Sequence, residues 1–132
     1  MAIKIPVSFA EVIDKLTILE IKESKIKDKQ KLSLIKKEIL LLRNEVNKFL
    51  STKKNIKVKL DKLKTSLRKI NLCLWNIEDK IRKHEAQKSF HKKFIQLARN
   101  VYITNDKRSH IKSKINELTG SEITEVKHYV KY

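Results

Sequence analysis

The sequence predicts an all-α protein: an antiparallel bundle of about four helices, two long and two shorter, with an extended N-terminal arm and a short C-terminal tail. Three observations lead there. One Gly and one Pro in 132 residues leave too few chain breakers for a many-stranded β fold, which turns every few residues. Leu and Ile recur at steps of three and four along most of the chain, the period of helices that bury one face. The length fits a single helical-bundle domain over residues 1–132, large enough for folding to bury roughly two-thirds of the unfolded chain's surface.

The opening "AIKIPVSF" alternates Ile3, Ile5, Val7 and Phe9 around Pro6, the pattern of an extended arm. In "SFAE" the Ser8 hydroxyl can accept from the Glu11 amide while the Glu11 side chain reaches back, a capping box that opens a helix near 9–27. Phe9, Val12, Ile13, Leu16 and Leu19 form its apolar face, and Glu20 falls inside that face. Asp28 caps a second helix near 31–50, whose core side is Leu32, Ile35, Ile39, Leu42, Val46 and Phe49. The short connection makes the two antiparallel neighbours.

"STKKN" is the next break, with Asn55 as the cap of a third helix near 56–87. Ile56, Leu60, Leu63, Leu67, Ile70, Leu74, Ile77 and Ile81 form a heptad stripe about 38 Å long at 1.5 Å per residue. Its match in length is a fourth helix near 90–118, stopped by Gly120 as a left-handed cap. A long hairpin results, with the shorter hairpin of the first two helices packed along it. The tail "SEITEVKHYVKY" is expected to lie back over the bundle or to pair with the N-terminal arm.

Net charge is +17, with 32 basic residues of which only Arg43, Arg68, Arg82, Arg99 and Arg108 are Arg. Two explanations stand. A polyanion partner would use the densest tract, Lys53, Lys54, Lys57, Lys59, Lys62, Lys64, Arg68 and Lys69, expected to be exposed and apart from any internal site. An AT-rich coding sequence would give the same excess of Lys, Ile and Asn with no such partner. Cys73 is alone, so no intrachain disulfide forms and a reducing compartment is expected; without a leader-like or spanning apolar segment, the cytoplasm follows and no membrane contact is expected. No cofactor or metal is expected either. A single Gly excludes a Gly-rich phosphate loop, and Glu125 with His128 is one E-x-x-H where a di-iron bundle needs two.

The chemistry-bearing signal is a set of six charges and one amide on inward-facing positions: Asp14, Lys15, Glu20, Glu78, Asn105, Arg108 and Lys112. Arg108 lies on the line of Phe90, Phe94, Leu97, Val101, Thr104 and Ile115. Three readings are open. The fourth helix breaks and Asn105 caps a new one; or Arg108 forms a structural ion pair, first with Glu20 and second with Glu78, since a buried guanidinium needs a partner; or Arg108 and Lys112 receive an anionic ligand beside carboxylates that supply polarity or proton transfer.

In order and spacing, "IPVSFAEVIDKLTILEIK", "LWNIEDKIR", "ARNVYITNDKRSHIKSKIN" and "GSEITEVK" resemble the recurring blocks of an uncharacterised bacterial domain family of unknown function, over nearly the whole chain. The resemblance carries no activity. It implies only that Glu11, Asp14, Lys15, Glu20, Lys22, Glu78, Asp79, Arg82, Asn105, Asp106 and Arg108 lie in signature blocks of that family. The functional expectation is binding of a small anionic metabolite or sugar-linked ligand in an internal polar cleft, with catalysis left open. The alternatives are nucleic-acid binding through the Lys-rich face, and a homodimeric adaptor using exposed Ile18, Leu34, Leu40 and Leu41.

Overall fold

The computed structural model describes all 132 residues: helices α1 (Phe9–Lys25), α2 (Lys29–Thr52), α3 (Lys57–Ala86) and α4 (Lys92–Thr119), with a 3-10 turn over Lys54–Ile56 and no strand. The all-α bundle of four helices expected from periodicity is the observed architecture.

Each helix starts and stops for a local reason. Ser8 Oγ accepts from the Glu11 amide at 3.3 Å, and the Ala10 amide donates to Asn116 Oδ1 at 2.9 Å, so the first turn of α1 is fixed both by its own cap and by α4. The capping box is only half formed, because the Glu11 carboxylate turns to Lys112 instead of its own helix end. Asp28 caps α2 by accepting from the Lys31 amide at 2.9 Å. Asn55 caps nothing: the chain enters α3 through the 3-10 turn that contains it, and no side chain caps that helix. Helix α4 runs unbroken through Asn105, which rules out the break at that residue. It ends at Gly120, whose φ of 66° lies in the region open to Gly, and Lys53 Nζ donates to the Thr119 carbonyl of the last turn at 3.2 Å.

Helices α3 and α4 form the long hairpin. Lys88 turns it with φ 52°, while His84 Nδ1 and the Ser89 carbonyl close the turn at 3.0 Å. Helix α1 lies against both arms of that hairpin and buries seven of its 17 residues. The shorter hairpin does not pack along the longer one as a unit, because α2 rests on α1 and the 3-10 turn and scarcely touches α3 or α4. The core therefore runs through α1: Ala10, Ile13, Leu16 and Leu19 meet Ile35, Ile39 and Val46 on one side and Leu60, Leu67 and Ile115 on the other. Leu74 and Ile77 of α3 are buried outside this cluster. Cys73 is exposed on α3. The tail forms no strand with the arm and returns along α4, where the Tyr132 hydroxyl donates to Asp106 and its ring meets the edge of Tyr102, centroids 5.3 Å apart.

Candidate functional site

Helix α4 turns Thr104, Lys112, Ile115, Asn116 and Thr119 inward, so four of the five buried side chains on that face are polar. Lys112 is at the centre. Its ammonium lies 2.5 Å from a Glu11 oxygen, 3.4 Å from Asp14 and 3.6 Å from Glu125, three carboxylates for a group with three donors. Burial alone would push its pKa down; the bond to Glu11 and the charges of Asp14, Glu11 and Glu125 outweigh that and raise it. Lys112 is charged and already neutralised. It offers little to an incoming anion.

Behind it stands a neutral relay. Asn71 Nδ2 donates to Asp14 Oδ1 at 2.8 Å and to Thr17 Oγ1 at 2.9 Å, and the Thr17 hydroxyl donates to the Asp14 carbonyl at 2.8 Å. Asn71 Oδ1 faces Arg108, whose Nη1 approaches at 3.5 Å. That long contact is the only hydrogen bond of the half-buried guanidinium, and no carboxylate lies within 4.0 Å of it.

The expected ion pairs of Arg108 are therefore absent. Glu20 binds Lys64 at 3.0 Å and Arg43 at 3.3 Å; burial would raise its pKa, but these two cations hold it below the usual carboxylate range. Glu78 is exposed on α3, and Lys15 is exposed and paired with Glu38 of α2. Asn105 is half-buried within the helix. Of the seven inward charges and amides expected from the sequence, Asp14, Arg108 and Lys112 share one network, while Lys15, Glu20 and Glu78 do not join it. The reason is geometric: Glu20 is six residues beyond Asp14, about 9 Å along α1, where the neighbours are α2 and the start of α3.

Glu11, Asn71, Asn116 and Glu125 complete the network although the inward charges did not point to them. Asn71 had a signal, standing four residues after Leu67 and three before Leu74 on a buried line. Asn116 had a weaker one beside Ile115. Glu125 lies in the aperiodic tail, where no helical period marks it as facing Lys112.

Above Lys112, α1, α4 and the tail enclose a cleft of about 360 Å³. Tyr129 is its one hydrophobic lining residue; Ser109, Ser113 and Thr124 bring hydroxyls. The carboxylates of Glu11, Asp106 and Glu125 outnumber the ammoniums of Lys112 and Lys127. Glu125 is held below the usual carboxylate range, first by its bond with Lys127 at 3.2 Å, with a small opposing effect of burial and further help from Lys112. In a chain of charge +17 this cleft has an acidic excess.

The basic tract lies elsewhere. Lys53, Lys54, Lys57, Lys62 and Arg68 are exposed, with Lys57 paired to Asp61 at 3.3 Å and the Lys53 ammonium 5.4 Å above the Phe49 ring centroid. Lys64 departs from this face: it is half-buried and turned to Glu20. Leu34, Leu40 and Leu41 are exposed on α2, whereas Ile18 is half-buried.

No helix is long and apolar enough to cross a membrane. No curated protein and no solved structure matches the chain. A family model described as a family of unknown function (DUF6165) matches residues 3–131, and the chain belongs to that family.

Proposed function

We propose that this member of the DUF6165 family is a binding protein for a small, hydroxyl-rich, sugar-like ligand without net negative charge, held in the cleft between α1, α4 and the tail. The observation that carries the reading is a ligand-sized cleft whose lining is polar apart from Tyr129 and richer in carboxylates than in ammoniums. Carboxylates accept from sugar hydroxyls, while Ser109, Ser113 and Thr124 both donate and accept. The Tyr129 ring supplies an apolar face for the C–H surface of a pyranose.

An anionic metabolite fits less well, since it would have to displace Glu11, Asp14 or Glu125 from Lys112. Beneath the cleft, Asn71 donates to the Asp14 carboxylate that faces Lys112, so the ammonium lining the cleft is backed by a hydrogen-bonded partner, and a site held in place loses less freedom on binding. The exposed free thiol of Cys73 fits a reducing compartment such as the cytoplasm.

The test is a thermal-shift titration of the full chain with neutral mono- and disaccharides, an amino sugar and a sugar phosphate. A ligand at 100 times its Kd adds about 2.7 kcal/mol of stability. Neutral or amino sugars should raise Tm, and the rise should vanish in Ser113→Leu and shrink in Glu125→Gln. A response confined to the sugar phosphate, or none across the panel, counts against the proposal.

A further inference from the structure

The far end of the α3–α4 hairpin differs chemically from the rest of the molecule. Between residues 80 and 99 seven Lys and Arg side chains accompany one acid, Glu85, and that acid is held by Lys88 at 3.1 Å. A second cleft, of about 450 Å³, opens here between the end of α3 and the start of α4. Lys80, Lys83, His84 and Gln87 line it from one arm, Lys93 and Gln96 from the other, and no carboxylate borders it. None of the three lysines lies within 4.0 Å of an acid. By contrast Lys57, Lys64 and Lys112 are each paired.

Two details sharpen the chemistry. The Ser89 carbonyl can only accept, so its contact with His84 places the proton on Nδ1 and leaves Nε2 without a partner in the structure. Lys92 and Lys93 stand in the first turn of α4, which holds no acid, a placement that opposes the helix dipole and that a bound anion relieves. Even with one Gln96 amide hydrogen given to Asn100 Oδ1 at 3.1 Å, three ammoniums and the Gln87 amide supply more donors than the two oxygens of a carboxylate can use. A phosphate, with three or four acceptor oxygens, matches them.

We propose that this cleft at the hairpin tip is a phosphate-binding site, filled either by a free phosphoanion or by the backbone phosphates of a single-stranded nucleic acid. It is separate from the acidic cleft beside Lys112 and independent of the sugar reading.

The experiment is an amide-resolved NMR titration of the full chain with sodium pyrophosphate and, separately, with a short oligothymidylate, at ionic strength matched with sodium chloride. Saturable shifts are expected at the Lys92, Lys93 and Phe94 amides and at the Gln87 and Gln96 side-chain amides. They should disappear in K80Q/K83Q/K93Q, whose circular dichroism spectrum should match the parent, and persist in K57Q/K59Q/K62Q. Saturation by pyrophosphate alone supports the site and identifies a free phosphoanion; saturation by the oligonucleotide supports it and identifies the polymer backbone. Shifts that never saturate, that spread over all exposed lysines, or that survive in the triple tip variant overturn the proposal.

Discussion

Arg108 and Lys112 stand one turn apart on α4, and their neighbours give them opposite energetics. Lys112 is 9% exposed and compensates Asp14, itself 6% exposed, so Lys112→Met strands a buried carboxylate. The loss should be about 3 kcal/mol, the low end for a broken buried pair because Glu11 and Glu125 can turn to water. Arg108 has only its long contact with Asn71, and Arg108→Met should cost less than about 1 kcal/mol. Urea unfolding of the two variants measures both. The same assay separates partners: Arg108→Met and Glu20→Leu should add, whereas Glu20→Leu and Lys64→Met should couple, since only the latter two residues touch.

The sequence made the misplaced charges visible because helical periodicity identifies a face. It did not identify which residue waits across that face, since Lys112 meets Glu11 101 positions away through a crossing angle that no local pattern encodes. These pairings also set a pH profile. The Glu20 carboxyl lies below its ordinary 4.5, so its contribution is complete above about pH 4.5 and is lost as pH falls through the lower folded value. Lys112 lies above its ordinary 10.5, so its contribution is complete below that pH and is lost as pH rises through the higher folded value. The urea midpoint should be flat across the neutral range and fall at both ends, with the alkaline fall reduced in Lys112→Met and the acid fall reduced in Glu20→Leu.

Among the elements, α1 shows how a helix end is secured by both local and distant chemistry. Ser8→Ala removes an ordinary N-cap and should cost about 1 kcal/mol. Asn116→Ala leaves the buried Ala10 amide without its acceptor and should cost about 1 to 3 kcal/mol. Hydrogen exchange checks the mechanism: in Asn116→Ala the Ala10 amide should lose protection while amides of α2 do not. Ser8, Asp28 and Gly120 were legible because caps are sequence-local. The packing of α2 was not. Its apolar face fits any flat hydrophobic neighbour, and whether one helix or a hairpin covers it depends on where α1 crosses. The heptad stripe of α3 did mark a long helix, but not how its residues divide: Leu60 and Leu67 belong to the main core cluster, whereas Leu74 and Ile77 are buried outside it.

Across the whole molecule, the tail decides whether the acidic cleft exists. Thr124, Glu125, Lys127 and Tyr129 form one wall of it, yet no residue of the main core cluster lies beyond Leu118. Local periodicity could not foresee this wall, because an extended segment held by Tyr132 on Asp106 and Glu125 near Lys112 leaves no repeat in the sequence. The tail's contribution to folding and its contribution to binding are therefore separable. Removing residues 122–132 deletes the ion pairs of Glu125 with Lys112 and Lys127, the hydroxyl bonds of Ser121 and Tyr132, and the Tyr102–Tyr132 ring contact, all at the surface or partly exposed, so helical circular dichroism and cooperative unfolding should be nearly unchanged. Loss of Glu125 removes one of the charges that raise the Lys112 pKa, and the alkaline fall in stability should begin at a lower pH. The thermal shift given by a sugar should vanish, because the ligand would lose Tyr129 and every hydroxyl or carboxylate that the tail supplies. A truncated chain that is fully folded and still shows the full shift would place the ligand outside this cleft, and would leave the tail as a cover for the Lys112 network alone.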